Sequence, residues 1–165
     1  MADPLRDAET GLLSAAFLAE AAPLLLAQWQ RRAVFVSVVL LRPADGAAGL
    51  AVAAAQAAAL LRAGDLRCRL GPDRMLLLLP DCDIGAACER MHLLAGRIAA
   101  AGAGTPAMGL AELPPGADSL APALAEAEAA LHAACASGSS RVVTGPMLSL
   151  LHRRRGSSAP DHHDG

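Results

Sequence analysis

Residues 62–79 read RAGDLRCRLGPDRMLLLL, and this stretch decides the fold. Two runs of β-like composition, 66–70 and 75–79, flank Gly71, Pro72, Asp73 and Arg74, which include residues that favour tight turns. Two such runs joined by a short turn predict a β-hairpin. The arginines and aspartates of this hairpin form a catalytic centre, a ligand site or only a polar turn, and the rest of the sequence bears on that choice.

Helices are predicted on both sides of the hairpin, over residues 13–32, 50–62, 84–101 and 120–136. Thr10 or Asp7 is expected to cap the first helix, which Pro23 breaks or kinks. Gly64 is placed to end the second helix, and Asp83 is placed to cap the third.

Further strands are predicted over residues 33–41, 106–112 and 141–143. The first of them is rich in β-branched residues and nearly continuous in apolarity, which is typical of a central strand covered on both faces. The mixed order of helices and strands implies an α+β fold, in which helices flank a mostly antiparallel central sheet. We expect one domain over residues 1–150 and a disordered, charged tail over 151–165.

Composition excludes several classes of partner. The net charge of −2 provides no basic field for nucleic acid, and 2% aromatic residues are too few for base-stacking platforms. The longest apolar run, 47–61, is too short to span a bilayer. The N-terminus carries acids where a secretory leader needs basic residues. These features predict a cytoplasmic protein that binds neither nucleic acid nor membrane.

The cysteines show no C-x-x-C pair, so neither a disulfide framework nor a zinc site is expected. All four are predicted to be buried free thiols, namely Cys68, Cys82, Cys88 and Cys135. The chain also contains no lysine and no asparagine, which excludes any mechanism that requires either side chain.

Three motifs occur in the order found in one known family. Residues 7–12 read DAETGL, residues 62–75 combine R-A-G-D with GPDRM after five residues, and residues 127–142 read AEAALHAACASGSSRV. They resemble the D-x-L-T-G-L, R-x-x-D/GGDEF and A-D-x-A-L-Y-x-A-K-x-x-G-x-N-R-V motifs of GGDEF domains, the diguanylate cyclases of bacterial signalling. The resemblance implies the palm-like nucleotidyl cyclase fold, in agreement with the predicted order of elements.

The signature turn departs from the family where the family binds metal. Its five residues are Gly71, Pro72, Asp73, Arg74 and Met75, and Arg74 replaces the Glu that completes the metal site. Two like charges about 4 Å apart repel by about 4 kcal/mol at an effective dielectric of 20, so magnesium is not expected beside Arg74. Pro72 replaces a glycine where the backbone must approach the nucleotide.

Other positions that the family uses in catalysis are also changed. The first strand runs into Arg42 and Pro43 where the family places a metal-binding Asp, and Asp45 comes three residues late. The segment that reads guanine in the family is much shortened, with Ala47 roughly in the place of its Asp. Cys135 replaces the lysine that steadies phosphates. The sequence therefore predicts no cyclase activity, no catalytic residue and no metal cofactor.

The R-x-x-D motif remains. In the family it is an inhibitory site for cyclic di-GMP, and here it corresponds to Arg62 and Asp65. Arginine offers a planar fork of donors for phosphate and guanine, and a carboxylate accepts from guanine N–H groups. The secondary candidates for this site are Arg67, Arg69, Arg90 and Arg97.

The same arginines and aspartates also have a purely structural interpretation, which needs no ligand. Arg62 at a helix end with Asp65 in the turn is favourable without any ligand, and Arg42 and Arg74 are solvated turn residues unless they hold a nucleotide phosphate. The leading hypothesis is a catalytically inactive GGDEF domain that binds cyclic di-GMP and, in its ligand-bound state, regulates a protein partner. The alternatives are a ligand-independent interaction or homodimerisation module and, least favoured, an active diguanylate cyclase.

Overall fold

A computed structural model describes residues 5–137 and 142–145. The elements in chain order are α1 Ala15–Arg32, β1 Val36–Arg42, α2 Leu50–Leu60, β2 Leu66–Gly71, β3 Arg74–Pro80, α3 Ile84–Ile98, β4 Ala107–Leu113, α4 Ala121–Ala136 and β5 Val142–Thr144. A short 3₁₀ turn, Gly46–Gly49, precedes α2, and a π turn, Ala99–Ala103, follows α3. Arg141 and the predicted tail 151–165 lie outside the described residues.

The strands form one five-stranded sheet in the order β2-β3-β1-β4-β5. β1 pairs antiparallel with both β3 and β4, and β2 pairs antiparallel with β3 as the predicted hairpin. Only the β4–β5 pair is parallel among the described strands. The α+β class and the mostly antiparallel sheet flanked by helices are confirmed.

Helices cover both faces of the sheet. Because strand side chains alternate between faces, Val39 and Leu77 pack with α2 and α3, whereas Val38 and Leu78 pack with α1 and α4. Every residue of β1 except the last is buried. The prediction of a central strand covered on both faces is therefore confirmed.

The start of α1 differs from the prediction. Ser14 caps the helix, whereas Asp7 accepts from the Thr10 main-chain N–H at 2.9 Å in a separate turn. The reason is that Leu13 already belongs to the sheet edge, where its N–H donates to the Arg67 carbonyl at 3.0 Å. This pairing covers part of the outer edge of β2 and limits edge-to-edge association there.

Three other local expectations are corrected. The helix α1 runs through Pro23 without a break, because buried residues on both sides of the proline, Leu18 and Leu26, pack in the same core cluster. Ala33 adopts a left-handed conformation with φ 50° and closes α1, so β1 begins only at Val36. The helix α2 ends at Leu60, and Gly64 lies beyond it in the following turn instead of capping it.

The cysteines divide into two groups. Cys68 and Cys82 are buried, and burial raises the pKa of Cys68 to about 11, which keeps that thiol protonated. Cys88 is half-buried and Cys135 is exposed, so the expectation of four buried thiols is wrong for these two. Within the described ranges no helix has both the length and the apolarity needed to cross a bilayer.

Candidate functional site

The R-x-x-D motif borders a cavity of about 470 Å³ between α1, the turn 62–65 and the end of β3. The charged residues that line it are Arg32, Arg62, Asp65 and Asp81. The C-terminal half of α1 provides the opposite wall, including Gln28 and the buried Trp29. Arg62 and Asp65 therefore line the same concave site.

Asp65 is the anchor of the turn. Its side chain is only 2% exposed, and its Oδ2 atom accepts from the Arg62 main-chain N–H at 2.8 Å and from Arg90 Nη2 at 2.7 Å. Burial of Arg90 opposes its charge, but hydrogen bonds to Asp65 and to the Cys82 sulfur outweigh burial and raise the Arg90 pKa. The Asp65–Arg90 pair is thus a charged, mostly buried ion pair.

The Arg62 side chain points out of the same turn. The side chain is 57% exposed, and its Nη2 donates to the Pro80 carbonyl at 3.3 Å. The nearest contact to Asp65 is a longer one, 3.8 Å from Nε to Oδ2. Arg62 therefore keeps donors accessible at the rim of the cavity while its main chain is held by Asp65.

A second ion pair borders the cavity. Arg32, at the end of α1, contacts Asp81 at 2.6 Å, and both side chains are about half exposed. Asp81 has a left-handed backbone conformation with φ 54°, which aspartate tolerates better than most residues. Its N–H donates to the Phe35 carbonyl at 3.0 Å, which fixes this conformation against the start of the sheet.

The secondary candidates separate in space. Arg90 joins the site through Asp65, whereas Arg97 is exposed in the last turn of α3, about two helical turns further on. Arg67 is half-buried on β2 and does not line the cavity. Arg69 is held at the other end of β2 by Asp7.

Arg69 organises the signature turn. Its Nη1 atom contacts Asp7 at 2.8 Å and Glu9 at 3.2 Å, while Nε and Nη2 donate to the carbonyls of Gly71 and Pro72. The side chain is 17% exposed. Arg69 thus ties the DAETGL segment to the signature turn, a role that its alternation along the strand did not predict.

Two ion pairs lie at the signature turn. Arg42 contacts Asp73 at 3.1 Å and Arg74 contacts Glu128 at 3.4 Å, so these arginines are not merely solvated turn residues. Magnesium needs free carboxylate oxygens, but a guanidinium already binds the carboxylate of the turn. Within residues 5–137 and 142–145 no group of three His, Cys, Asp or Glu side chains is placed to hold a metal. This donor set does not fit a divalent cation.

Sequence reasoning missed three polar residues of the cavity, namely Gln28, Arg32 and Asp81. The sequence places Arg32 at the end of the first predicted helix and Asp81 just after the run 75–79, and neither position indicates a ligand site. The one unusual feature of Asp81 is its left-handed backbone conformation, and the sequence does not reveal backbone conformation.

The fold matches solved GGDEF domains. The GGDEF domain of DgcB from Caulobacter crescentus, in complex with c-di-GMP, superposes with a TM-score of 0.78 at 15% identity, covering 88% of this chain and 98% of that one. The FimX GGDEF domain from Pseudomonas aeruginosa gives 0.73 at 13% identity, covering 85% and 99%. Diguanylate cyclase SiaD from Pseudomonas aeruginosa, in complex with its activator SiaC, gives 0.70 at 23% identity, covering 86% and 62%.

No protein-family model and no curated protein matches the sequence. The likeness is therefore one of tertiary structure, and it spans nearly the whole described chain. The chain has the GGDEF palm-like fold, as the three sequence motifs predicted.

Proposed function

We propose that this chain is a catalytically inactive GGDEF-like domain that binds cyclic di-GMP at the cavity beside the R-x-x-D motif. The observation that carries the proposal is the accessible Arg62 guanidinium on the rim of a 470 Å³ cavity. A cavity of this size falls within the usual range for small-molecule sites. The c-di-GMP complex of the DgcB domain, which shares this fold, supports the choice of ligand.

The chemistry of Arg62 suits this ligand. A guanidinium binds phosphate oxygens through two parallel hydrogen bonds, and it also binds the O6 and N7 atoms of guanine in the same way. Cyclic di-GMP offers both kinds of acceptor. The contacts that Arg62 would exchange for the ligand are weak ones, because its Nη2 is 3.3 Å from the Pro80 carbonyl and its Nε is 3.8 Å from Asp65. Ligand binding therefore costs little reorganisation of the protein.

The absence of catalysis is part of the proposal. Diguanylate cyclase chemistry needs metal ions to align a hydroxyl of one nucleotide with the α-phosphate of another. Here Arg42 and Arg74 place two cations at the signature turn, paired with Asp73 and Glu128. A site arranged in this way supports no step that depends on a bound metal.

The response to the ligand is proposed to pass to another protein. The sequence predicts one domain over residues 1–150, and we propose that occupancy of the cavity acts through a surface of this domain or through a homodimer. The complex of SiaD with its activator SiaC shows that a protein of this fold binds a protein partner. That precedent supports a protein partner here, without identifying it.

Isothermal titration of the purified chain with cyclic di-GMP tests the proposal. We expect binding that Arg62→Ala abolishes and that Arg31→Ala retains. Arg31 is the matched control, because it removes one exposed arginine of α1 that does not line the cavity. An absence of binding by the folded wild-type chain would refute the receptor function and favour a ligand-independent interaction module.

A further inference from the structure

The carboxylate of the R-x-x-D motif is poorly placed to meet a ligand in this chain. Asp65 is 2% exposed at its side chain, and its Oδ2 atom already accepts from the main chain of Arg62 and from Arg90. A ligand could use this oxygen only by displacing the Arg90 guanidinium, and a side chain that is 2% exposed leaves little of the other oxygen accessible. That exchange would leave a mostly buried cation without its partner, which is unfavourable.

A different carboxylate faces the same cavity. Asp81 is 49% exposed, and within the described residues the only hydrogen bond given to its side chain comes from Arg32 at Oδ2. An ionised carboxylate has two oxygens and about four acceptor positions, so Asp81 retains accepting capacity. Its left-handed backbone conformation is the kind of outlier that occurs at ligand sites.

Asp81 is also adjacent to Arg62. The Arg62 guanidinium donates to the carbonyl of Pro80, the residue immediately before Asp81. A fork of donors and an exposed carboxylate therefore stand together at the end of β3. Guanine requires this combination, because it has acceptors at O6 and N7 and donors at N1 and N2. The third polar side chain, Gln28, has only one amide oxygen and cannot accept from both donors with separate atoms.

We propose that Asp81, and not Asp65, is the guanine-reading carboxylate of this cavity, accepting from N1–H and N2–H while Arg62 binds the opposite edge or the phosphate. Asp65 is then a positioning residue that holds the Arg62 main chain. Arg32 is a second cation at the rim, where it orients Asp81 and contributes to anion binding. This inference rests on the proposed binding of cyclic di-GMP and assigns the residue that selects the base.

Comparison of cyclic di-GMP with cyclic di-AMP tests the assignment. Adenine lacks the N1–H and N2 donors that a carboxylate would read. Titrations of both dinucleotides are made with the wild-type chain, Asp81→Asn, Asp65→Asn, Arg62→Ala and the matched control Asp45→Asn. Asp45 is an exposed aspartate at the 3₁₀ turn and does not line the cavity. Circular dichroism verifies that each variant is folded.

We expect the wild-type chain to prefer cyclic di-GMP, and Asp81→Asn to lower that preference by about tenfold or more. Asp65→Asn should weaken both ligands to a similar extent, because Arg62 loses its support, and Asp45→Asn should change neither. Since Asp81 is exposed, its variant decides the assignment even if Asp65→Asn does not fold.

The opposite results are distinct from one another. Loss of the preference in Asp65→Asn with no change in Asp81→Asn would overturn the assignment and leave the receptor function intact. Equal wild-type affinity for the two dinucleotides would overturn the reading of guanine by any carboxylate. If the folded wild-type chain binds neither ligand, both the receptor function and this inference fail.

Discussion

Replacement of Asp65 by asparagine should destabilise the domain far more than the same change at Asp81. The substitution keeps the size of the side chain but removes the charge that faces Arg90 at 2.7 Å. Breaking a buried ion pair by removing one partner typically costs about 3–5 kcal/mol. Because Arg90 is 20% exposed and water can partly solvate it, we expect about 2–3 kcal/mol.

At Asp81 the expected cost is smaller. The Arg32–Asp81 pair is about half exposed on both sides, and exposed ion pairs contribute about 1 kcal/mol or less. The two costs therefore differ by about 2 kcal/mol. For a chain of 165 residues, this difference in the free energy of unfolding corresponds to a melting temperature roughly 4–8 °C lower in Asp65→Asn than in Asp81→Asn.

Urea unfolding followed by fluorescence measures both values. Trp29 is the only tryptophan of the chain, it is 5% exposed, and it lines the cavity. The slope of the free energy of unfolding against urea should be the same in the two variants, because both share the native fold. Equal destabilisation of Asp65→Asn and Asp81→Asn would refute the argument that the Asp65–Arg90 pair holds the turn.

Three further predictions concern packing, pH and catalysis. A Cβ atom at Gly109 would overlap the main chain of Ala127 and Leu131 in α4, so Gly109→Ala should lower the free energy of unfolding by about 1–3 kcal/mol or more in urea titrations, whereas Gly64→Ala, which meets open space, should have little effect. The hydrogen bond from Thr10, together with Arg69, lowers the Asp7 pKa below its usual 3.8, so its stabilisation should be present near neutral pH and disappear as pH falls through the folded-state pKa. The difference in melting temperature between wild type and Asp7→Asn should therefore shrink with acidification, and a constant difference would contradict this account. Incubation of the wild-type chain with GTP and magnesium should yield no cyclic di-GMP by chromatography, and formation of the product would show that the signature turn still supports catalysis.

The signature turn and the R-x-x-D turn differ in whether an arginine remains available to bind a ligand. At the signature turn, each arginine is paired with a carboxylate across elements, Arg42 with Asp73 and Arg74 with Glu128. At the R-x-x-D turn, Arg90 of α3 is paired with the buried Asp65, whereas Arg62 remains accessible. The cavity lies beside the second turn, which is why the proposed function is placed there.

Local sequence determined the hairpin, the central strand β1 and the cap of α3 by Asp83, because turn chemistry, β-branched composition and N-capping act over a few residues. The motif resemblance also predicts a charge reversal at Arg74, and this stays a prediction. The cap of α1 was mispredicted because Leu13 pairs with β2, a strand more than fifty residues away in the chain.

Only the tertiary structure decided which charges are available to a ligand. Arg90 reaches Asp65 across 25 positions, and Arg32 reaches Asp81 across 49. The spacing of R-x-x-D therefore identified the turn, but the packing of α3 buried its carboxylate and the end of α1 placed Arg32 at Asp81. Burial and ion pairing depend on elements that are distant in the chain, so a motif names the residues of a site while the fold decides which of them remain accessible to solvent.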